Sequence, residues 1–318
     1  MVSFSPSFLN IQKAAHILEK GGLVAFPTET VYGLGAHAFH EAGCQKIFDV
    51  KGRPSFNPLI VHCLDLESVQ SLADLPKIGK KLAEEFWPGP LTLILKKRTP
   101  SFLSSLVTAG LETVAIRIPR HPVARALLKA LDCPIAAPSA NRSGFLSPTQ
   151  AQHVLKDLGS YVDMIIEDTG VDVGLESTIL DLSRELPILL REGGLEREKL
   201  EAVLKCSIPS QVKPSKITSP GQLLKHYAPR HPLRLNAHHV SYKEGLIAFG
   251  KPLEGARVSL NLSETCHLKE AAHNLFAFLH ILDARDDIDS IAVQEIPEIG
   301  LGKAINDRLK RASCSLKK

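Results

Sequence analysis

Apolar residues recur at helical spacing at Ile11, Ala14, Ala15 and Leu18, and Gly21-Gly22 stops the run where a C-cap glycine would. The next apolar stretch, "LVAFP" (23–27), is short and continuous, the mark of a buried strand. The same contrast repeats downstream. Helices are predicted over 41–52, 76–87, 121–132 and 149–159. Strands are predicted over 58–63, 91–97, 113–119, 164–168, 177–183 and 187–194, with "PIAAPSAN" (134–141) a strand running into a loop. Strands and helices mixed in this way indicate an α/β fold, and two strands as close as 177–183 and 187–194 predict a mixed sheet rather than a purely parallel wind.

Prolines at 209, 214, 220, 229 and 232 then break both periodicities and predict a linker over 209–232. Beyond it, strands over 244–250, 257–263 and 289–297 and helices over 267–284 and 303–313 form a second, smaller α/β domain. The chain therefore divides at 1–208, 209–232 and 233–318. The last helix, "KAINDRLKRAS", reads as basic and amphipathic.

Composition narrows the function classes. A chain of 318 residues with 44% hydrophobic and 23% charged residues can bury a sizeable core. Its 38 Lys and Arg against 34 Asp and Glu give a net charge of +4, which permits an anionic ligand without demanding nucleic acid. Cysteines at 44, 63, 133, 206, 266 and 314 contain no C-x-x-C, so reduced thiols are expected rather than a disulfide framework or a zinc ribbon. The first residues lack a signal-peptide apolar segment, and no apolar run approaches the roughly 18 residues of a membrane span. A cytoplasmic protein without membrane contact is expected.

The common nucleotide motifs fail. Each Gly-Lys pair (79–80, 250–251, 302–303) is followed by Lys, Pro or Ala, so no P-loop exists. Gly33-Leu-Gly35-Ala-His-Ala38 formally matches a relaxed dinucleotide fingerprint, yet it does not follow its strand directly and no acidic residue lies at the ribose position. His37, His40 and Cys44 read as the start of a surface helix rather than metal ligands. Ser139 and Ser177 have no base evident beside them, and no G-x-S-x-G elbow is present.

What remains is a set of polar loops at strand ends, where α/β folds build their sites. They are "FPTETVYGLG" (26–35), "KGRPSFNP" (51–58), "RIPRHP" (117–122), "APSANRSG" (137–144), "GLESTI" (174–179) and "LREGG" (190–194). Each alone could be a cap, a turn or solvated surface. Together they supply hydroxyls, Asn, Gly and several cations to one concave pocket, with donors for an anion and no strong acid–base pair.

These loops, with "FWPGPLTLIL" (86–95), resemble in consistent order the YrdC-like threonylcarbamoyl-AMP synthases, over roughly residues 10–205. "SPGQLLKHYAP" (219–229) and "GLGKAINDRLKRA" (300–312) resemble the linker and C-terminal domain of that family's longer form. The resemblance implies a YrdC-like twisted mixed sheet with flanking helices and a concave site, followed by a Rossmann-like C-terminal domain. It also implies a reaction. L-threonine, bicarbonate or CO2, and ATP give threonylcarbamoyl-adenylate and pyrophosphate, and a tRNA-modifying transferase passes the threonylcarbamoyl group to the adenosine next to the anticodon.

On this resemblance Lys51 and Arg53 carry the catalytic contacts to the ATP phosphates. Ser139, Asn141, Ser177 and Arg191 face the nucleotide, while Thr28, His62, Arg117 and again Ser177 face threonine. Tyr32 lines the pocket or belongs to the core, and Glu29 and Glu176 orient backbone turns or serve the site. His226 and Tyr227 of the linker fold back as a gate that excludes water from a labile mixed anhydride. Mg2+ is expected with ATP, its ligands unassigned, and a weak tRNA contact is conceivable. The rival reading is a module of the same fold that binds RNA without catalysis.

Overall fold

The computed structural model describes residues 3–210 and 226–314, so most of the Pro-rich linker lies outside the described residues. Helix Phe8–Glu19 starts where Ser7 accepts from the Asn10 amide (3.3 Å) and buries the Ile11, Ala14, Ala15, Leu18 stripe read from the sequence. Helix Glu41–Lys51 is capped by the His40 imidazole, which accepts from the Gly43 amide at 3.1 Å, and ends at Gly52, where φ is 57°. His40 is thus a cap. No group of His, Cys, Asp or Glu that could hold a metal occurs among the described residues.

The first domain is built on a mixed sheet of eleven strands. Strand Val24–Phe26 shows how it is covered: Val24 and Phe26 face the helices Phe8–Glu19 and Pro122–Leu131, whereas Ala25 points to the opposite core. That second face is closed by helices Glu41–Lys51, Lys77–Phe86, Ala151–Leu158 and Arg197–Leu204. Strands Ile60–His62 and Thr113–Arg117 are parallel neighbours, and Thr178–Asp181 and Ile188–Arg191 are antiparallel neighbours, as the short spacing between them required.

Gly33-Leu-Gly35-Ala-His37, of which 33–35 was read above as loop and His37 as part of a helix start, is a strand between Val24–Phe26 and Ile135–Ala136. Its glycines hid it, because glycine is poor strand material. They are there for space: a Cβ on Gly35 would lie 2.8 Å from Phe26 Cε1 and 2.9 Å from Ile135 Cγ2. Helix Arg197–Leu204 was missed for another reason: its apolar stripe is only Leu200, Val203 and Leu204, and it fully buries Leu200 alone.

The second domain is a four-stranded parallel sheet in the order Leu233–Arg234, Ser290–Val293, Glu244–Ala248, Val258–Asn261. Helices Leu268–Asp283 and Leu301–Ser313 pack with Ile247, Ile291 and Val293. This core does not stop at the domain boundary. Val31, Leu146 and Leu175 of the first domain and Tyr227 of the linker belong to it. Gly174 lets the two units approach: at φ 77° it sits so close to helix Leu268–Asp283 that a Cβ would lie 2.5 Å from the carbonyl oxygens of Ala272 and His273.

Gly174→Ala therefore strains the backbone and forces the seam apart. The expected loss is about 1–3 kcal/mol. A calorimetric Tm within error of the parent would show that the approach is relaxed.

Candidate functional site

The loops singled out in the sequence converge on one partly open cleft. Nine of the expected residues line it: Thr28, Arg53, His62, Arg117, Ser139 and Ser177, then Arg191, His226 and Tyr227. Lys51 and Asn141 stand one layer back. The Lys51 ammonium donates to the carbonyls of Ser139 (2.5 Å) and Asn141, holding the loop that carries Ser139. The Asn141 side chain ties that loop internally, donating to Arg142 O at 2.7 Å and Phe145 O at 3.0 Å.

The cleft has two electrostatic halves. In one, Arg117 at the end of its strand is paired with Glu29 at 2.7 Å and donates to Thr30 Oγ1 at 2.8 Å. Thr28 Oγ1 lies 2.8 Å from that same hydroxyl and donates to Val31 O. Burial alone would raise the Glu29 carboxyl, but Arg117 outweighs it and keeps the group ionised. Tyr32 is both core and wall: fully buried, it accepts from the Asp168 amide at 3.3 Å.

The other half is cationic and uncompensated. Arg53 donates to Asn57 O, Asn57 Oδ1 and Pro58 O, and Arg191 donates to Ser177 O (2.7 Å) and Ser177 Oγ (3.1 Å). Among the described residues Lys51, Arg53 and Arg191 are buried and none has a carboxylate partner. Burial, reinforced by Arg53, pulls the Lys51 ammonium well below its usual value. Burial, reinforced by Arg191, pushes Arg53 down to about 9, and burial lowers Arg191 as well. An anion arriving beside them would reverse these shifts.

Sequence reasoning missed what lies behind Glu176. This carboxylate accepts from Ser147 Oγ at 2.5 Å and from Arg308 Nε at 2.8 Å, and Arg308 comes from the last helix. Burial would raise Glu176, but Arg308 first and then Arg191 hold it at about 2. The tail read as a basic amphipathic helix sends one of its cations inward, and Arg308 is only 1% exposed. Its place on the stripe of Leu301, Ala304, Ile305, Leu309 and Ala312 was the signal that could have found it, since Lys310 lies off that stripe and faces solvent.

The linker pair closes the cleft. Tyr227 packs on Phe276, with ring centroids 5.5 Å apart, and the Arg308 guanidinium lies 5.3 Å from its ring. It adopts φ 64°, a conformation that a non-glycine residue holds only when its surroundings insist. The His226 ring stacks edge-on against Tyr227 at 4.2 Å. Burial pushes both pocket histidines, His62 and His226, down to about 3, so neither is charged at neutral pH.

Residues 16–193 match the model of the Sua5/YciO/YrdC family, described as "Telomere recombination", and residues 195–314 match that of the threonylcarbamoyl-AMP synthase C-terminal domain. The chain belongs to the two-domain threonylcarbamoyl-AMP synthase family. A threonylcarbamoyl-AMP synthase of Bacillus subtilis is 42% identical across 95% of this chain and 92% of its own length. One from Pyrococcus abyssi is 41% identical across 95% and 94%. The crystal structure of P. abyssi Sua5 complexed with L-threonine superposes with a TM-score of 0.90 at 37% identity, covering 97% of this chain and 95% of that one. The family's two-domain layout thus extends through the whole architecture described above.

Neutral His62 and His226 carry a pH signature. Their folded values lie below the unfolded value near 6.5, so the stability they contribute is present above pH 6.5 and is lost as pH falls toward 3. Urea unfolding at pH 5.5, 5.0 and 4.5 should report stability falling by roughly 2–3 kcal/mol per pH unit from these two groups, the value for two protons. A slope below that of one proton would mean that the rings are solvated.

Proposed function

We propose that this protein condenses L-threonine, bicarbonate or CO2, and ATP into threonylcarbamoyl-adenylate and pyrophosphate, in the cytoplasm, for a transferase that modifies tRNA. The observation that carries this reading is the trio of buried cations without a carboxylate partner. Burying an unpaired charge costs several kcal/mol, and a polyphosphate beside Arg53 and Arg191, with Lys51 one layer behind them, would offset that cost. Arg53 and Arg191 present planar forks suited to phosphate oxygens, and Lys51 a point charge.

The paired half suits a zwitterion. Threonine's carboxylate and ammonium would lie among Arg117, Glu29 and the Thr28 and Thr30 hydroxyls, with neutral His62 as a further polar wall. The ammonium gives a proton to water, the freed amine adds to CO2, and the carbamic acid so formed gives a second proton to water and leaves a carbamate. One carbamate oxygen then attacks the α-phosphorus, the bond to the bridging oxygen breaks, and pyrophosphate leaves. The nucleophile arrives already charged, so the protein needs no base; its work is alignment and neutralisation of developing charge. The uncharged histidines fit that division of labour.

Glu176 in the cleft wall and Glu29 behind it are both taken by arginines, so these donors do not fit a resident metal. Mg2+ would enter as the counter-ion of ATP, as part of the substrate. Tyr227 and His226, wedged over the cleft, would keep water from the adenylate. Any contact with tRNA would be weak and secondary to delivery of the adenylate.

Pyrophosphate release from ATP should require threonine and bicarbonate together, and release that is indifferent to either would defeat the assignment. Lys51→Ala is expected to lower kcat/KM for ATP by about 10²-fold or more. It should also lower stability by about 1–3 kcal/mol, because two carbonyls lose their donor. Tyr227→Ala should divert product to threonine, CO2 and AMP by hydrolysis; an unchanged adenylate yield would rule out the shielding role.

A further inference from the structure

Glu176 is an awkward neighbour for a phosphate site. It lies in the wall of the same cleft as Arg53 and Arg191, and Arg191 donates to the carbonyl of Ser177, the very next residue. A buried carboxylate seeks the nearest cation. Left to itself, Glu176 would turn to the Arg191 fork and occupy the donors that a phosphate needs. It does not, because both its oxygens are held elsewhere: Ser147 Oγ donates to Oε1 and Arg308 Nε to Oε2. Arg308 is itself steered, since its Nη1 donates to Asp307 at 2.7 Å and its plane lies near the Tyr227 ring. Ser147 is braced from the same side, because its carbonyl lies 3.1 Å from Nε2 of His280 on helix Leu268–Asp283.

We infer that Arg308, supplied by the C-terminal domain, is a positioning residue for ATP: it holds the Glu176 carboxylate away from Arg191 and so keeps the phosphate-binding fork open. The second domain then sets the charge balance of the first domain's pocket from behind. Arg308 does not line the cleft and acts through Glu176. This rests on the reading of the cationic half as an ATP site.

The test is ATP binding by calorimetry, without threonine, at pH 8.5. If the parent protein does not bind ATP, the functional reading fails. With binding intact, Arg308→Met should weaken it at least tenfold at pH 8.5, while the KM for threonine changes less than threefold. Glu176→Gln/Arg308→Met should bind ATP within threefold of the parent. Unchanged affinity in Arg308→Met overturns the inference, as does a loss that the double substitution does not repair. Should Arg308→Met not fold, the double variant decides, since replacing both members of a buried ion pair is tolerated far better than removing one. ATP binding more than tenfold weaker in that variant refutes the role.

Discussion

Two buried cations, Arg53 and Arg191, line one wall of a cleft with a third, Lys51, one layer behind, and among the described residues all three are held by neutral oxygens. Everything else in the molecule is arranged so that this can persist. Lys51 is the last residue of its helix, where the helix's own negative end favours a cation. Arg53 is held by three acceptors within the six-residue turn 53–58, which keeps its fork buried. Arg191 ends a strand backed by the sheet, and Gly193 just beyond it allows the chain to pass so close that a Cβ would lie 2.4 Å from the Ser177 carbonyl carbon. Cores on both faces of an eleven-stranded sheet supply the stability against which such a site can be maintained.

The contrast with the other half of the cleft gives the site its logic. Arg117 and Arg308 have carboxylate partners; Lys51, Arg53 and Arg191 do not. Charge is balanced where a zwitterion would sit and left in excess where a polyanion would sit. A protein that moved protons would need a group poised near neutrality. Here burial drives the pocket histidines the other way, which suits a reaction whose nucleophile is made by the substrates themselves.

Much of this was legible in the sequence because the informative loops lie at the ends of well-patterned strands. "LVAFP", "PLIVHC" and "TVAIRIP" announce themselves by apolar continuity, and Thr28, His62 and Arg117 at or just past their ends meet in the cleft. Gly33 and Gly35 concealed a strand because their purpose is to admit Phe26 and Ile135, a demand made by partners distant in the chain. Arg308 falls on the helical stripe of Leu301, Ala304, Ile305, Leu309 and Ala312 and Lys310 falls off it, so spacing separates the two; which carboxylate Arg308 meets is a fact of domain docking that no local pattern records. Glu176 was visible as a loop carboxylate, but its meaning waited on that same partner.

One feature ties pocket and architecture together more tightly than either domain alone suggests. Along the five residues 28–32, Thr28 and Thr30 serve the cleft, Glu29 holds Arg117, and Val31 is part of the C-terminal domain's apolar core. Leu175 repeats the arrangement beside Glu176 and Ser177. The wall that meets substrate is the same stretch of chain that glues the two domains. Reshaping the pocket for a larger or smaller amino acid is therefore not a local edit: any shift of this backbone wide enough to change specificity also loosens the joint on which the second domain is hung.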